Sequence, residues 1–426
     1  MKVSVVNIMP HGPAYRFSPD EKPDIWWRKP DGTWLGFWTR EWPDYYGAAV
    51  LQQTDRYAIE VWQPDYRADK IYSYTLDTGV IHRLFPAKKK LYRIELKRRE
   101  DFFSQEMLSH LGKLNSPFIL QLHGFRVPFY FDILRIFGPN KTFPIFIMGH
   151  GMSKAPIYEL FGFHRPLTYL GLIVEQWRCR RAFKYVDVIS EEAKSALRNV
   201  RGVYSGRIEK LVGGCDFDFW IPVPSLEIKK KVRYELGIAK KRTVFLATGN
   251  FIPRKQLDRL IEVFQKLSDR DDFFLIIAGH GDKHNTARLK SLISGLAKQG
   301  KAILHPYVTG EALRNLYWAS DIYVSVAIDE GTPVSVAKAM ACGLPVLSTP
   351  VGETSELMKK HDVGMFVPVR RYDKWVKAIR EILEHGPPPA LDINIARQSY
   401  HLPNVARRLI RIYDYLYDTY YGTKSS

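Results

Sequence analysis

Between residues 243 and 383 the chain alternates short apolar runs with longer stretches in which apolar residues recur every three or four positions. Thr243–Thr248 (TVFLAT), Phe273–Ala278 (FFLIIA) and Ala302–Pro306 are the first three runs. Leu257–Leu267, Ala287–Lys298 and Glu311–Ala319 are the helical stretches that follow them. The segment 321–356 repeats the theme: a strand ending in Glu330-Gly331-Thr332-Pro333, a helix through Met340 closed by Gly343, and a strand closing on Val351-Gly352. Gly364–Val369 reads as a further strand and Lys374–Leu383 as a further helix. Runs that are apolar at every position belong to strands covered on both faces, and helices between them make the sheet parallel.

The first half uses the same elements with less regular spacing. Val3–Ile8, Tyr57–Trp62, Phe118–Leu122, Pro144–Met148 and Val186–Ile189 are strand candidates, and Glu191–Leu197 is a helix. The fold class is therefore α/β, with two Rossmann-like, doubly wound parallel-sheet domains in tandem. We place them at residues 1–212 and 213–402, with the linker near Gly213–Lys231, where Pro222, Pro224 and a lysine run interrupt the pattern. Beyond Pro387-Pro388-Pro389, Val405, Leu409, Ile412, Leu416 and Tyr420 give residues 403–426 a helix long enough to cross back to the first domain.

At 426 residues the chain exceeds one ordinary core. Lys and Arg number 63 against 45 Asp and Glu, a net charge of +18. Nucleic acid, an anionic membrane surface and a phosphorylated substrate all suit that charge, as does a simply solvated surface. No nucleic-acid-binding motif is present, which removes the first. No apolar run reaches the roughly 18–20 residues of a membrane span, and MKVSVVNIMPHG reads as a first buried strand rather than a signal peptide. Cys179, Cys215 and Cys342 are too widely spaced for a metal-ligand pattern. A reducing, cytoplasmic location is expected, or a peripheral one at the inner face of a membrane.

Candidate chemistry clusters where strands end. An acidic residue and a Gly-containing turn at a strand's carboxyl end, as at Glu330-Gly331, mark where open α/β sheets bind ligands. The helix starting there offers backbone N–H groups to a phosphate. Gly249-Asn250-Phe251-Ile252-Pro253-Arg254-Lys255-Gln256 follows the TVFLAT strand and reads as a diphosphate clamp or as a basic surface loop. Gly279-His280-Gly281 follows FFLIIA. In the first half His123-Gly124 and His150-Gly151 each follow a strand, either as cleft histidines or as turn histidines satisfied by backbone. Trp26, Trp27, Trp34, Trp38 and Trp42 are five of the ten tryptophans. They would stack on sugar, seat in a membrane interface, or form a small loop core.

In this order the motifs resemble retaining glycosyltransferases of family 4, the group 1 glycosyltransferases with the GT-B architecture. Gly213-Gly214-Cys215-Asp216…Phe219 is similar to that family's domain junction. Glu330-Gly331-x-Pro333, Ala339-Met340-Ala341-x-Gly343-x-Pro345-Val346, Gly352 and Glu356 follow its donor-site string. The resemblance implies a hexosyltransferase moving a sugar, with retention, from a sugar-nucleotide donor to a hydroxyl acceptor. No metal and no cofactor would be required. Glu330 would hold the donor's hydroxyls; backbone N–H groups around Gly331–Val334, a turn that includes Thr332 and Pro333, would hold the sugar and distal phosphate. Lys255 would face the diphosphate, assisted by Arg254, with Gly249, Gly279 and Gly281 admitting the ligand. His150 would lie near the reacting centre, and Gly47 would be the remnant of the first domain's glycine loop. His123, Trp34 and Trp38 are the acceptor-side candidates. Together with the apolar Pro128–Phe137 stretch and the Arg178–Lys184 cluster they suggest a lipid-linked or cell-surface glycan as acceptor, hence polysaccharide or glycolipid biosynthesis.

Asn250 and Gln256 depart from the family's Gly-Arg…Lys-Gly phosphate loop, and one further departure bears on the nucleotide. The family carries a second glutamate eight residues after the first, gripping the nucleotide's ribose; here it is Lys338. An ammonium only donates hydrogen bonds, so the bidentate grip on two hydroxyls is lost. Glu353 or Glu356 would replace it, or the donor carries extra phosphate or no ribose, or the chain is a non-catalytic GT-B partner subunit. A phosphorylase or epimerase of the same architecture is the remaining alternative.

Overall fold

The computed structural model describes residues 2–9, 27–28, 34–35, 42–94, 97–115, 117–125, 127–150, 166–239 and 241–422. The chain divides into two units, Met1–Val212 with Leu402–Ser426, and Gly213–His401.

The first unit opens with β1 (Val3–Ile8), a two-residue antiparallel pair β2 (Trp27–Arg28) and β3 (Trp34–Leu35), and helix α1 (Trp42–Leu51). Then come β4 (Tyr57–Asp65), β5 (Tyr72–Thr75), β6 (Ile81–Pro86), β7 (Lys88–Ile94), β8 (Lys97–Phe103) and α2 (Gln105–Gly112). β9 (Phe118–His123), α3 (Pro128–Phe137), β10 (Ile145–Met148), α4 (Pro166–Phe183), β11 (Val188–Glu191), α5 (Lys194–Arg201) and β12 (Arg207–Lys210) complete it. The main sheet runs β12-β11-β10-β9-β1-β4-β6-β5, and only β5 is antiparallel to its neighbour. Its apolar strands are buried on both faces, with Val6, Ile8, Trp62, Leu120, Leu122, Phe129 and Ile147 in one core. Strand order reverses between β1 and β9, so the carboxyl end of β9 opens at a topological switch point.

Three features differ from the sequence expectation. Glu191 ends β11 instead of opening a helix, which starts only at Lys194. Lys88–Phe103, in which the sequence pattern marks no strand, pairs antiparallel in register from Lys88↔Phe103 to Ile94↔Lys97, with Lys88 and Lys89 still exposed. Asp132 of α3 anchors it, taking Lys90 Nζ at 2.7 Å and the Tyr92 hydroxyl at 3.0 Å. The Pro128–Phe137 stretch is not a membrane-facing surface, because α3 buries Phe129, Tyr130, Ile133 and Leu134 in the core.

The second unit begins with α6 (Leu226–Glu235), β13 (Thr243–Thr248), α7 (Leu257–Gln265), β14 (Phe273–Ala278), α8 (Lys283–Lys298) and β15 (Ala302–His305). α9 (Gly310–Ala319), β16 (Ile322–Ser325), α10 (Val334–Ala341), β17 (Val346–Ser348) and α11 (Gly352–Lys360) follow. β18 (Met365–Phe366), α12 (Tyr372–His385) and α13 (Ile393–Tyr400) end it. All six strands are parallel, in the order β15-β14-β13-β16-β17-β18. That is the dinucleotide-binding order, with its switch point between β13 and β16. The lysine run assigned to the linker is helical. Ser225 caps α6 by accepting from Ile228 N, and Lys229 and Arg233 pair with Asp321 at 2.7 and 2.6 Å.

At Leu402 the chain returns to the first unit as α14 (Leu402–Tyr421). Its apolar stripe (Val405, Leu409, Ile412, Leu416) is buried, Tyr413 donates to Gln121 Oε1 at 2.7 Å, and Asp414 accepts from Tyr57 at 2.6 Å. No described helix is long and apolar enough to cross a membrane.

Candidate active site

The two loops that leave β13 and β16 meet at the switch point of the second unit. Ile328 N donates to the Arg254 carbonyl at 3.0 Å, and Arg254 Nη1 donates to the Asp329 carbonyl at 2.6 Å. Between these tethers sits Glu330, its side chain only 8% exposed. Lys255 Nζ lies 2.5 Å from Glu330 Oε1 and Arg254 Nη1 lies 3.0 Å from Oε2. Burial alone would push the Glu330 carboxyl up; Lys255 and then Arg254 outweigh it, and the net shift is downward. The carboxylate is therefore ionised at neutral pH, held by two cations that each present their charge to one oxygen. A nearly buried acid is stable only with such partners.

Glycines make the loops possible. Gly279, at φ +155°, lies so close to Gly249 that a Cβ would fall 1.9 Å from the Gly249 carbonyl oxygen. Any side chain there would force apart the two strand ends that carry Gly249 and Gly281. Gly352, at φ +75°, plays the same part on the other side, where a Cβ would sit 2.7 Å from the Gly331 oxygen. The Lys255 side chain in turn lies over Gly249, within ordinary contact distance of where a Cβ would be. Pro333 precedes α10 without a side-chain cap, leaving Val334 to open the helix. Thr332 is buried and its Oγ1 accepts from Gly213 N at 3.0 Å, so the Gly213–Phe219 motif and the Gly331–Pro333 loop are hydrogen-bonded to each other.

Lys338 is in the third helical position after Ser335 and turns to an aromatic partner. Its Nζ stands 4.6 Å from the ring centre of Trp220, which is buried and edge-packed on Tyr317 at 5.4 Å. A cation over an indole face is stabilised by about 0.5–2 kcal/mol. Glu353, one of the candidate replacements for the ribose grip, accepts from the Tyr400 hydroxyl within the buried interior. Trp220 was not legible as a partner, since nothing in its spacing links it to position 338.

A cavity of about 400 Å³ lies beside these loops, lined by Phe251, Gln256, Arg259, Arg288, Arg370 and Tyr372 among others, and neither Lys255 nor Glu330 lines it.

In the first unit, His150 follows β10 and is partly exposed. Its Nδ1 is 3.3 Å from Glu192 Oε1, and its ring stacks on His123 at 5.7 Å between centroids. His123 ends β9 at 4% exposure, so it does not offer itself to an acceptor; it backs His150. Its Nε2 stands 3.1 Å from Asn7 Oδ1 and 3.2 Å from Gln121 Nε2, and by tautomer it either donates to the first or accepts from the second. Burial, then the neighbouring His150, holds its pKa well below 6.5. Glu192 and Asn7 escaped the sequence reading because neither sits in a Gly turn.

That shift has a stability consequence. The unfolded chain takes a proton on His123 near 6.5, whereas the folded chain refuses it. Stability is thus complete above that pH and falls by about 1.4 kcal/mol per pH unit below it until the folded pKa is reached. Urea unfolding at successive pH values should show this slope in the wild type and a shallower one in His123→Asn. An unchanged slope in the variant would place the acid sensitivity elsewhere.

Gly47 is not in a loop. It lies inside α1, where a Cβ would be 2.8 Å from Val80 Cγ2 and 3.0 Å from Ile59 Cγ2, so its smallness lets the helix close on the sheet. Trp34 is placed only by its strand pairing with Arg28, and Trp38 and Trp26 lie outside the described residues.

Residues 228–399 match the family described as glycosyl transferases group 1. A D-inositol 3-phosphate glycosyltransferase of Mycobacteroides abscessus is 26% identical over 243 residues, 56% of this chain and 53% of that protein. The chain spans between 53% and 59% of the length of the first curated relatives it matches. Sucrose-phosphate synthase from Thermosynechococcus elongatus superposes with a TM-score of 0.70 at 16% identity, covering 98% of this chain and 100% of that one. Anabaena HepE, solved with UDP and glucose, superposes at 0.65 with 13% identity, covering 97% and 100%. Residues 228–399 of the second unit thus resemble group 1 glycosyltransferases, and the two Rossmann-like units share the GT-B fold of the solved neighbours.

Proposed function

We propose that the chain is a retaining glycosyltransferase that moves a sugar from a nucleoside diphosphate donor to a hydroxyl acceptor without a metal. The observation that carries this reading is the Lys255–Glu330–Arg254 cluster at the switch point of a 3-2-1-4-5-6 sheet. A carboxylate and two cations on adjoining loops match the two ends of such a donor. Glu330 accepts from sugar hydroxyls, while Lys255, Arg254 and the start of α10 meet the diphosphate. A structural neighbour solved with UDP and glucose supports a nucleotide in this fold.

In the reaction the bond from the anomeric carbon to the diphosphate oxygen breaks as the bond to the acceptor oxygen forms on the same face. The acceptor's proton passes to the leaving diphosphate. Lys255 and Arg254 stabilise the charge that develops there, and Glu330 fixes the sugar. In the first unit His150, 3.3 Å from Glu192 and stacked on neutral His123, is the further residue we assign to catalysis. A glycan or lipid-linked sugar is the acceptor class.

Thermal-shift titration with nucleoside diphosphates, sugar nucleotides and sugar phosphates tests the donor assignment. Stabilisation by at least one nucleoside diphosphate is expected. Stabilisation by sugar phosphates alone would favour a phosphorylase, and none at all a non-catalytic subunit. The seat of Lys338 on Trp220 adds a prediction. Lys338→Glu restores a two-acceptor group at the ribose position and should tighten nucleoside diphosphate binding several-fold. Weaker binding would make Lys338 itself a donor ligand.

A further inference from the structure

Helix α4 buries one face and leaves another apolar face in solvent. Cys179 and Phe183 are in the core of the first unit, at 0% and 1% exposure. On the opposite side Leu170, Ile173 and Trp177 are 46%, 63% and 56% exposed. Their spacing of three and four residues places them in one stripe along the helix. Continuing the same stripe by four and three residues reaches Arg181 and Lys184, both exposed. The guanidinium of Arg181 lies 4.7 Å over the Trp177 ring, and the Lys184 ammonium 4.7 Å over Tyr185. No acidic residue occupies the stripe positions.

We infer that this stripe docks the first unit on an anionic phospholipid bilayer. A helix whose outward face changes along its length from Leu, Ile and Trp to Arg and Lys has the composition of one lying in a membrane interface. The indole favours the headgroup level, and the cations meet the lipid phosphates. Charge complementarity selects this occupant over a second copy of the chain, because a net charge of +18 and the two stripe cations would repel their own image. The charge also continues beyond α4. Arg178 covers Phe131 of α3 at 4.5 Å, and α3 holds the β7–β8 hairpin on which Lys88 and Lys89 are exposed. This deepens the acceptor reading above, since a bilayer-bound unit would meet a lipid-linked acceptor where it resides. Donor binding belongs to the other unit and is measured separately.

The test is flotation of the full chain with phosphatidylcholine vesicles, with and without phosphatidylglycerol, at low and high salt. Binding is expected only with the anionic lipid, and weaker in high salt. Ile173→Glu with Trp177→Glu should reduce it by about tenfold or more, with the melting temperature and the nucleoside diphosphate shift unchanged because both side chains point outward. Arg181→Ala with Lys184→Ala should reduce both the binding and its salt dependence. Absence of binding at low salt, or equal binding by the Ile173→Glu/Trp177→Glu variant, would overturn the inference. So would a concentration-dependent dimer, seen by light scattering, that the same variant dissolves while vesicles stay unbound. Loss of the nucleotide shift in the wild type would instead count against the transferase reading and leave the vesicle result standing.

Discussion

Replacing Glu330 with glutamine is expected to abolish sugar transfer while leaving nucleoside diphosphate binding equal or tighter. The carboxylate pairs with Lys255 and Arg254 at 2.5 and 3.0 Å. An arriving diphosphate must share those cations with it. Glutamine keeps the shape and removes the charge, so the cations face the diphosphate without competition. The sugar loses an ionised hydrogen-bond acceptor that a neutral amide does not replace, and the rate should fall by roughly 10²–10³-fold. Steady-state transfer assays and calorimetric titration with the diphosphate separate the two effects. Joint loss of binding and turnover would mean that Glu330 holds the loops together rather than the sugar. The folded protein also depends on this group. Its depressed pKa contributes stability above the ordinary value of 4.5, lost as pH falls through the folded pKa.

The second large effect is at Lys255. Lys255→Ala removes the stronger of the two charges holding Glu330 ionised, and with it the cation proposed to meet the leaving phosphate. Turnover should fall by about 10²–10³-fold, and diphosphate binding should weaken by about tenfold, equivalent to about 1.4 kcal/mol. A further signature follows from the sign of the shift. Burial pushes the Glu330 carboxyl up, and with only Arg254 opposing it the carboxyl protonates at higher pH than in the wild type. The residual activity of the variant should therefore decline at a higher pH as the solution is acidified. Diphosphate binding that survives Lys255→Ala unchanged would remove that residue from the donor site.

Much of this was legible because buried parallel strands leave a strong mark. FFLIIA is apolar at every position and TVFLAT at its four inner ones, and the structure makes them β14 and β13 with the limits read from the sequence. The loop chemistry was legible for the same reason: once strand ends are known, Gly249, Lys255 and Glu330 stand at carboxyl ends by position alone. The hairpin at Lys88–Phe103 was hidden because its residues are charged and partly anchored through Asp132, forty residues away in sequence. Gly47 misled because a glycine needed for helix-on-sheet contact has the same letter as a loop glycine. His123 misled in the same way, since a histidine at a strand end is equally placed to face a cleft or to sit beneath another ring. The exposed stripe on α4 was invisible until the buried face of that helix was known, as Leu170, Ile173 and Trp177 read equally well as core.

The central claim, sugar transfer with retention from a nucleotide donor, is tested most directly by incubating the chain with a panel of sugar nucleotides and following the products by NMR. The account predicts slow hydrolysis of at least one donor, releasing nucleoside diphosphate and a sugar whose anomeric configuration at first appearance is that of the donor, in chelator as well as without it. Hydrolysis of none of them, or release of the inverted sugar, would contradict it.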